Sequence, residues 1–344
     1  MNPPAPAPAA RLPRPSRARA AVIGGGTMGA DVALVLARAG CQTTVVEPGP
    51  VRQELLQQHF SRGLANLAAG HRRDHLQVCA DLDGVDWPAI DLVIECIPEQ
   101  LAAKQALFAE LVCRARPDAL LTSNSSSFPI TAIGTGLPGR ARMLGLHFFM
   151  PAHLVPLVEV VLGAGDTGAG DAGVPGAQAG ASDPALGEAL CGFMRGCGMV
   201  PVLVRKDLPG FLANRLQHAL AREAFALIDA GVVTAGDVDA AVRFGFGFRF
   251  LAAGPVLQRD HAGIDVHCAA AATIYPSLAV NAEPAGVLRE QVAAGRLGMK
   301  SGAGFLDWST EAAAAERLRY DALLQAGLAL LAPELPPVDD GGAG

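Results

Sequence analysis

Residues 20–29 read AAVIGGGTMG, a short apolar run followed by a cluster of glycines. The apolar run predicts a buried strand, and the Ala, Leu and Val residues that follow predict a helix to Ala39. The cluster fits the pattern G-x-G-x-x-G, with Gly24, Gly26 and Gly29 at its three fixed positions. Between a strand and a helix, this pattern is the fingerprint of a dinucleotide-binding loop.

The residue types in this loop have physical reasons. Gly24 permits a tight turn, Gly26 lets the backbone approach a pyrophosphate, and Gly29 lets the helix pack closely on the strand. The helix N-terminus, around Thr27 and Met28, supplies free N–H groups and a partial positive charge for the phosphates. We therefore predict that these five residues bind the cofactor.

The nucleotide preference is predicted from Glu47, which ends the next strand-like run. An acidic residue about 20 positions after the loop can accept hydrogen bonds from ribose hydroxyls and would repel a 2′-phosphate. This favours NAD over NADP. Arg52, nearby in the sequence, is the one feature that favours NADP.

Strand-like and helical segments alternate as far as residue 205, which predicts βαβ units and a mostly parallel sheet. Only helical patterns follow. The sequence therefore predicts an α/β protein, with a Rossmann-type, mostly parallel sheet domain followed by an all-α C-terminal domain. The predicted parts are a disordered tail at 1–19, an NAD-binding domain at 20–205 with a flexible loop at 163–182, a helical substrate and dimerisation domain at 206–333, and a disordered tail at 334–344.

The composition bounds the classes of function. The chain has 344 residues, 51% of them hydrophobic and 17% charged, and a net charge of −6, which argues against a nucleic-acid surface. No apolar run approaches the roughly 20 residues that span a bilayer. The seven cysteines show no CxxC or Cys/His spacing. We therefore predict no metal site, and we expect reduced thiols and a cytoplasmic location.

An imidazole, His147, and a carboxylate, Glu159, lie in the apolar segment GLHFFMPAHLVPLVEVV, residues 145–161. A lone His on a strand is more often a satisfied core residue, but a carboxylate in the next apolar strand needs a partner. Adjacent strands would place His147 and Glu159 within hydrogen-bond reach. A His held by a carboxylate is a competent general base near neutral pH.

Polar groups at other predicted strand and helix ends extend this hypothesis. Ser126 lies in SNSSS, whose hydroxyl and amide groups can hold a substrate oxygen, although a plain turn is the alternative. Glu99 and Lys104 follow another strand and could reach a cofactor ribose, or could simply cap a helix. Asn214, in the first turns of a helix, is offset from its apolar face and is either a site residue or solvated.

Taken together, these motifs resemble the L-3-hydroxyacyl-CoA dehydrogenase family from Ala20 to Trp308. GGGTMG, ECIPE, SNSSS, GLHFFMP, PLVEVV, DLPGFLANRL, AAGPVLQRDHAGID and GMKSGAGFLDW all have counterparts in order. The resemblance implies NAD-dependent oxidation of a short-chain L-3-hydroxyacyl-CoA, such as 3-hydroxybutyryl-CoA, to the 3-ketoacyl-CoA. It also implies a place in fatty acid metabolism and a homodimer formed through the C-terminal domain.

The resemblance implies roles for individual residues. His147 would be the catalytic base and Glu159 its partner, while Ser126 and Asn214 would hold the 3-oxygen of the substrate. The residues implied to contact NAD are Glu99, Lys104, Ser126 and, from the GMKSG turn, Lys300.

Three departures from the family pattern keep the substrate open. Met150 stands where the family has an Asn near the nicotinamide and substrate, and Met offers only a weak acceptor. Family members that use acyl-CoA carry a long lysine-rich hairpin after the second strand, whereas residues 47–91 hold no Lys. The segment GFGFRFLAAGP is closer to relatives that oxidise free hydroxy acids, namely the L-carnitine and lambda-crystallin-like L-gulonate dehydrogenases. The alternatives are therefore a free 3-hydroxy acid as substrate, or an inactive crystallin-like structural or binding protein.

Overall fold

The computed structural model describes residues 12–67, 69–165, 180–339 and 341. These residues divide into two compact units, one within Met1–Leu212 and Ala332–Gly344 and the other within Ala213–Leu331. The first unit contains the sheet, and the second is helical, as the sequence predicts. The boundary predicted after Arg205 divides the chain by function, and it stays a prediction.

Eight strands form one sheet in the order β3-β2-β1-β4-β5-β6-β7-β8. All neighbouring pairs are parallel except β6 and β7, which are antiparallel. The fold class predicted from the alternating pattern is confirmed. The strands are β1 (Arg19–Ile23), β2 (Gln42–Val46), β3 (Leu76–Cys79), β4 (Leu92–Glu95), β5 (Leu120–Ser123), β6 (Met143–Phe148), β7 (Leu157–Leu162) and β8 (Val200–Val204).

Helices connect the strands and cover the sheet. β1, β4 and β5 are nearly all buried because they lie in the middle of the sheet, with helices above and below, and their runs of Ala, Val, Ile and Leu suit that position. Asp183 begins the last of these helices by accepting a hydrogen bond from the Ala185 N–H. The helices of the first unit are α1 (Thr27–Arg38), α2 (Pro50–Asn66), α3 (Leu101–Arg114), α4 (Ile130–Ile133) and α5 (Pro184–Gly196).

Parts of the predicted tails and loop fall within the described residues. Ser16 Oγ donates a hydrogen bond of 2.7 Å to Asp339 Oδ2, and Val338 pairs with Cys197. Both ends of the described chain therefore lie on the first unit. Of the predicted loop at 163–182, residues 166–179 lie outside the described residues, as do residues 1–11, 340 and 342–344 of the predicted tails.

The second unit is built from helices joined by short turns. Thr234 and Asp237 form a capping box at the start of its second helix. None of the described helices, in either unit, is both long and apolar enough to cross a membrane. The helices are α6 (Ala213–Asp229), α7 (Ala235–Ala241), α8 (Gly247–Arg249), α9 (Leu257–Ala262), α10 (Ile264–Ile274), α11 (Gly286–Ala293) and α12 (Thr310–Leu331), with a π-helical stretch at Val242–Phe246.

Candidate active site

The carboxyl ends of the central parallel strands place the glycine loop, the ECIPE segment, the serine segment and the loop after His147 at one edge of the sheet. Backbone hydrogen bonds continue the ladder to this edge, from Cys96 N–H to the Ile23 carbonyl and from Asn124 N–H to the Glu95 carbonyl. In open α/β sheets, this edge is where ligands bind.

The glycine loop has the geometry of a dinucleotide cradle. Gly24 has φ +106°, a conformation that side chains rarely adopt, and a Cβ there would lie 2.8 Å from the Cys96 carbonyl oxygen. At Gly29, a Cβ would lie 1.9 Å from the Gly24 carbonyl oxygen. α1 begins at Thr27, so its first N–H groups face the turn that the glycines form. The loop therefore fits a pyrophosphate at the helix N-terminus.

Glu47 lies directly after β2 and braces the same loop. Its Oε2 accepts a hydrogen bond of 3.1 Å from the Gly25 N–H, and its Oε1 accepts one of 2.9 Å from the Gly49 N–H. Each carboxylate oxygen keeps a lone pair beyond these bonds, so Glu47 can still accept from a ribose hydroxyl. Its contact with the cofactor stays a prediction.

His147 and Glu159 are directly opposite each other on the antiparallel strands β6 and β7. Cross-strand partners share a face of the sheet, and His147 Nδ1 lies 2.8 Å from Glu159 Oε2. The His147 side chain is 6% exposed and that of Glu159 0%. The predicted contact is confirmed. Because the carboxylate accepts from Nδ1, the proton of the neutral ring resides there and Nε2 is left as the acceptor.

The second oxygen of Glu159 and the face of the imidazole have partners of their own. The Leu212 N–H donates a hydrogen bond of 2.9 Å to Glu159 Oε1. The Phe149 ring lies edge-on to the imidazole, with 4.5 Å between ring centroids. A buried carboxylate is costly unless both oxygens are satisfied, and Leu212 supplies this second bond.

The serine segment is fixed by its neighbours. Asn124 Oδ1 accepts a hydrogen bond of 2.8 Å from the Phe148 N–H and so ties the segment to the strand of His147. Ser125 is buried, whereas Ser126 is exposed at the turn. This position leaves Ser126 accessible to a ligand at the sheet edge, and its predicted role stays a prediction.

A buried ion pair lies beneath this turn. Lys104 Nζ is 2.6 Å from Glu95 Oε1, and both side chains are almost fully buried. Lys104 also lies 3.2 Å from Glu99 Oε2 and donates to the Ile97 carbonyl at 3.2 Å. An ammonium has three N–H groups, and these partners account for all of them. Lys104 therefore positions the two carboxylates, and its predicted contact with the cofactor stays a prediction.

Glu99 in turn holds the serine segment. Its Oε1 accepts hydrogen bonds from Ser125 Oγ at 2.5 Å and from Ser127 Oγ at 2.6 Å. Burial acts to raise the pKa of Glu99, but these hydrogen bonds and the charge of Lys104 lower it to about 2. Glu99 is therefore ionised at neutral pH and fixes the turn that carries Ser126. Its contact with NAD stays a prediction.

A second carboxylate cluster, centred on Asp31 of α1, was not predicted from the sequence. The Asp31 side chain is 3% exposed, and its Oδ1 lies 2.9 Å from His59 Nε2 and 3.1 Å from His153 Nδ1. Its Oδ2 accepts from the Ala152 N–H at 3.2 Å. Burial acts to raise the pKa of Asp31, but the two imidazoles lower it. Asp31 thus ties the loop after His147 to the helix of the glycine loop. Its only signal was a carboxylate within the apolar helix segment ADVALVL.

The other predicted residues lie elsewhere. Asn214 is half-buried in the first turn of α6, and Lys300 is exposed in the turn between Gly298 and Ala303. Both belong to the second unit, and their roles stay predictions. Met150 is 64% exposed in the loop after β6. Within the described ranges, no group of His, Cys, Asp and Glu side chains is arranged to hold a metal ion.

The chain matches known proteins over most of its length. Residues 19–169 match the NAD binding domain of 3-hydroxyacyl-CoA dehydrogenase, and residues 210–308 match its C-terminal domain. One relative, the 5-formyl-3-hydroxy-2-methylpyridine 4-carboxylate 5-dehydrogenase of Mesorhizobium japonicum, is 31% identical over 310 residues, which is 87% of this chain and 94% of the relative.

Two crystal structures extend the comparison. The structure of a 5-formyl-3-hydroxy-2-methylpyridine 4-carboxylic acid 5-dehydrogenase, described as an NAD⁺-dependent dismutase, has a TM-score of 0.81 at 29% identity, over 91% of this chain and 98% of that one. The 3-hydroxybutyryl-CoA dehydrogenase of Escherichia coli K12 has a TM-score of 0.65 at 32% identity, over 85% of this chain and 59% of that one.

Proposed function

The chain belongs to the 3-hydroxyacyl-CoA dehydrogenase family of NAD-dependent oxidoreductases, and on this premise we propose that it oxidises a hydroxyl group of a small free acid, with His147 as the general base. The observation that carries the proposal is the buried His147–Glu159 pair, 2.8 Å apart at the sheet edge that also holds the glycine loop.

The residues of this chain act on the proton and the oxygen. Nε2 of His147 takes the hydroxyl proton, and the carboxylate of Glu159, bonded to Nδ1, stabilises the imidazolium that forms. Ser126 holds the substrate oxygen. The loop from Gly24 to Gly29 and Glu47 hold NAD, which when bound supplies the hydride acceptor.

The segment between β2 and β3 favours a free acid over a CoA thioester. It contains α2, which ends at Asn66, and a 3₁₀ segment at Gly70–His75, without a second α-helix among its described residues. Of its arginines, Arg73 donates to the Leu76 carbonyl at 3.0 Å and also contacts Gln57, so it serves the local fold. Arg52 and Arg62 are the exposed ones. Two separate arginines on α2 offer much less positive charge to the phosphates of CoA than a lysine-rich hairpin does.

The similarity to other family members supports the same choice. The relative that matches at a TM-score of 0.81 is named for a pyridine carboxylic acid, and the 3-hydroxybutyryl-CoA dehydrogenase matches at 0.65. The second candidate is oxidation of a short-chain L-3-hydroxyacyl-CoA. It is favoured by the match of both chain segments to the domains of 3-hydroxyacyl-CoA dehydrogenase.

A kinetic comparison tests the substrate class. We expect kcat/KM for at least one free acid, among L-carnitine, L-gulonate and 5-formyl-3-hydroxy-2-methylpyridine 4-carboxylate, whose formyl group presents a hydroxyl once water has added to it, to exceed that for 3-hydroxybutyryl-CoA by on the order of 10²-fold. Free 3-hydroxybutyrate is the matched control, because it differs from the thioester only in lacking CoA. Preference for the thioester would establish the second candidate, and no NADH from any of them would indicate a binding or structural protein.

We also propose that the chain is a homodimer, because the second unit lacks a core of its own. Among the described residues from Ala213 to Leu331, only Ala285 and Ala313 are buried apolar residues. Leu216 and Leu220 of α6 are 59% and 42% exposed, and Phe244 is 75% exposed. A helical unit normally buries such side chains, and a second copy offers matching surfaces.

The oligomeric state is measured directly by light scattering after size-exclusion chromatography. We expect a mass of about twice the 35.3 kDa of one chain. Leu216→Glu should weaken the association, because it places a charge on the apolar face of α6, whereas Glu283→Gln, outside any helix and with no apolar surface, serves as a control. A wild-type mass of one chain at micromolar concentration would contradict the proposal.

A further inference from the structure

Phe211 has an unusual backbone conformation. Its φ is +48°, and among the described residues it is the only residue other than glycine with a positive φ. A bulky side chain in the left-handed region is strained, and such strain persists only where surrounding contacts impose it. Positions of this kind cluster at functional sites, so the contacts that hold Phe211 in this conformation are of interest.

The segment before Phe211 is a turn held at its start. The Phe211 N–H donates a hydrogen bond of 2.9 Å to the Leu208 carbonyl, and Gly210 has φ +76°, as the third residue of a type II turn requires. Asp207, just ahead of the turn, accepts from the Thr131 N–H at 2.8 Å and from its Oγ at 2.7 Å. The position of the turn is therefore set by the sheet domain.

Two groups whose positions depend on the Phe211 backbone, its own ring and the N–H of Leu212, contact the His147–Glu159 pair. Phe211 is 4% exposed, and its ring lies 5.5 Å from the His147 ring, measured between centroids, with 56° between the ring planes. The next N–H, that of Leu212, donates to Glu159 Oε1 at 2.9 Å. With the turn fixed, rotation about the N–Cα bond of Phe211 to an ordinary negative φ would carry both the ring and the Leu212 N–H away from the pair.

We propose that Phe211 is a positioning residue for the catalytic pair. Its left-handed backbone places its ring against the imidazole and aims the following N–H at the carboxylate, so both members are held by one short segment. Apolar burial alone does not account for this conformation, because a core Phe packs equally well with a negative φ. The proposal rests on the function proposed for His147.

Two substitutions separate the ring from the backbone. Phe211→Leu keeps an apolar side chain and removes the ring, and Phe211→Gly removes the ring and frees the backbone. We expect kcat to fall several-fold in the first and about 10- to 100-fold in the second, with KM and Kd for NAD unchanged within twofold. The primary deuterium isotope effect on kcat should rise, because chemistry becomes slower relative to release.

A matched control is Phe108→Leu, in α3, a fully buried Phe of a core cluster that includes neither His147 nor Phe211. It should lower the melting temperature and leave kcat within twofold. In a His147→Gln background, Phe211→Leu should cause no further loss, because the residues act as a unit. The proposal is overturned if Phe211→Leu and Phe211→Gly keep kcat within twofold, or if Phe108→Leu loses as much. Normal turnover in His147→Gln would instead overturn the proposed base.

Discussion

Replacing His147 by Gln is expected to lower kcat by about 10³- to 10⁴-fold, because it removes the group that accepts the hydroxyl proton. Gln has nearly the volume of His and can still bond to Glu159, so the buried pair should stay satisfied and the fold intact. The cofactor loop lies on different strands, so the Kd for NAD should change by less than about twofold. Stopped-flow formation of NADH and titration with NAD measure the two quantities.

The partner substitution, Glu159→Gln, refines this prediction. An amide can still accept from Nδ1, but it carries no charge to stabilise the imidazolium, so we expect a loss of about 10²- to 10³-fold in kcat. The double variant should be no slower than His147→Gln alone, because the carboxylate acts only through the imidazole. Turnover of His147→Gln close to that of wild type would exclude His147 as the base.

Much of the fold and of the catalytic pair could be predicted from the sequence because local rules determine them. The glycine spacing after an apolar run specifies a strand–turn–helix unit whatever the rest of the chain does. Glu159 in an apolar strand needs a partner, and His147 is the candidate on the preceding apolar strand. Register then brings the two together, since opposite residues of paired strands share a face.

Other features depended on distant contacts that no local pattern encodes. Lys104 lies nine positions after Glu95 in the sequence, and only the packing of helix α3 brings its ammonium against that carboxylate. The left-handed backbone of Phe211 also depends on contacts with the sheet domain, which no local pattern indicates. The partners of Asp31 are likewise distant in the sequence, with His59 on α2 and His153 in the loop after β6.

Two glycine substitutions should separate cofactor binding from folding. Gly26→Ala is sterically tolerated in the protein itself, because its Cβ would meet only the Arg52 guanidinium, at 3.6 Å, and its φ is −65°. If the pyrophosphate lies against this backbone, the added methyl group stands between them. We expect the Kd for NAD to rise by about 10- to 100-fold with the melting temperature unchanged.

Gly29→Ala should act differently, because its Cβ would lie 1.9 Å from the Gly24 carbonyl oxygen and the backbone would have to move. We expect a large loss of thermal stability along with the loss of NAD binding, since helix α1 can no longer pack against the loop. Gly192→Ala, at an open position of α5, controls for the change of residue type alone. Calorimetric titration with NAD and thermal melts give both readings without any substrate. Wild-type affinity in Gly26→Ala would mean that the phosphates do not approach this loop, and the assignment of the cradle to residues 24–29 would then be wrong.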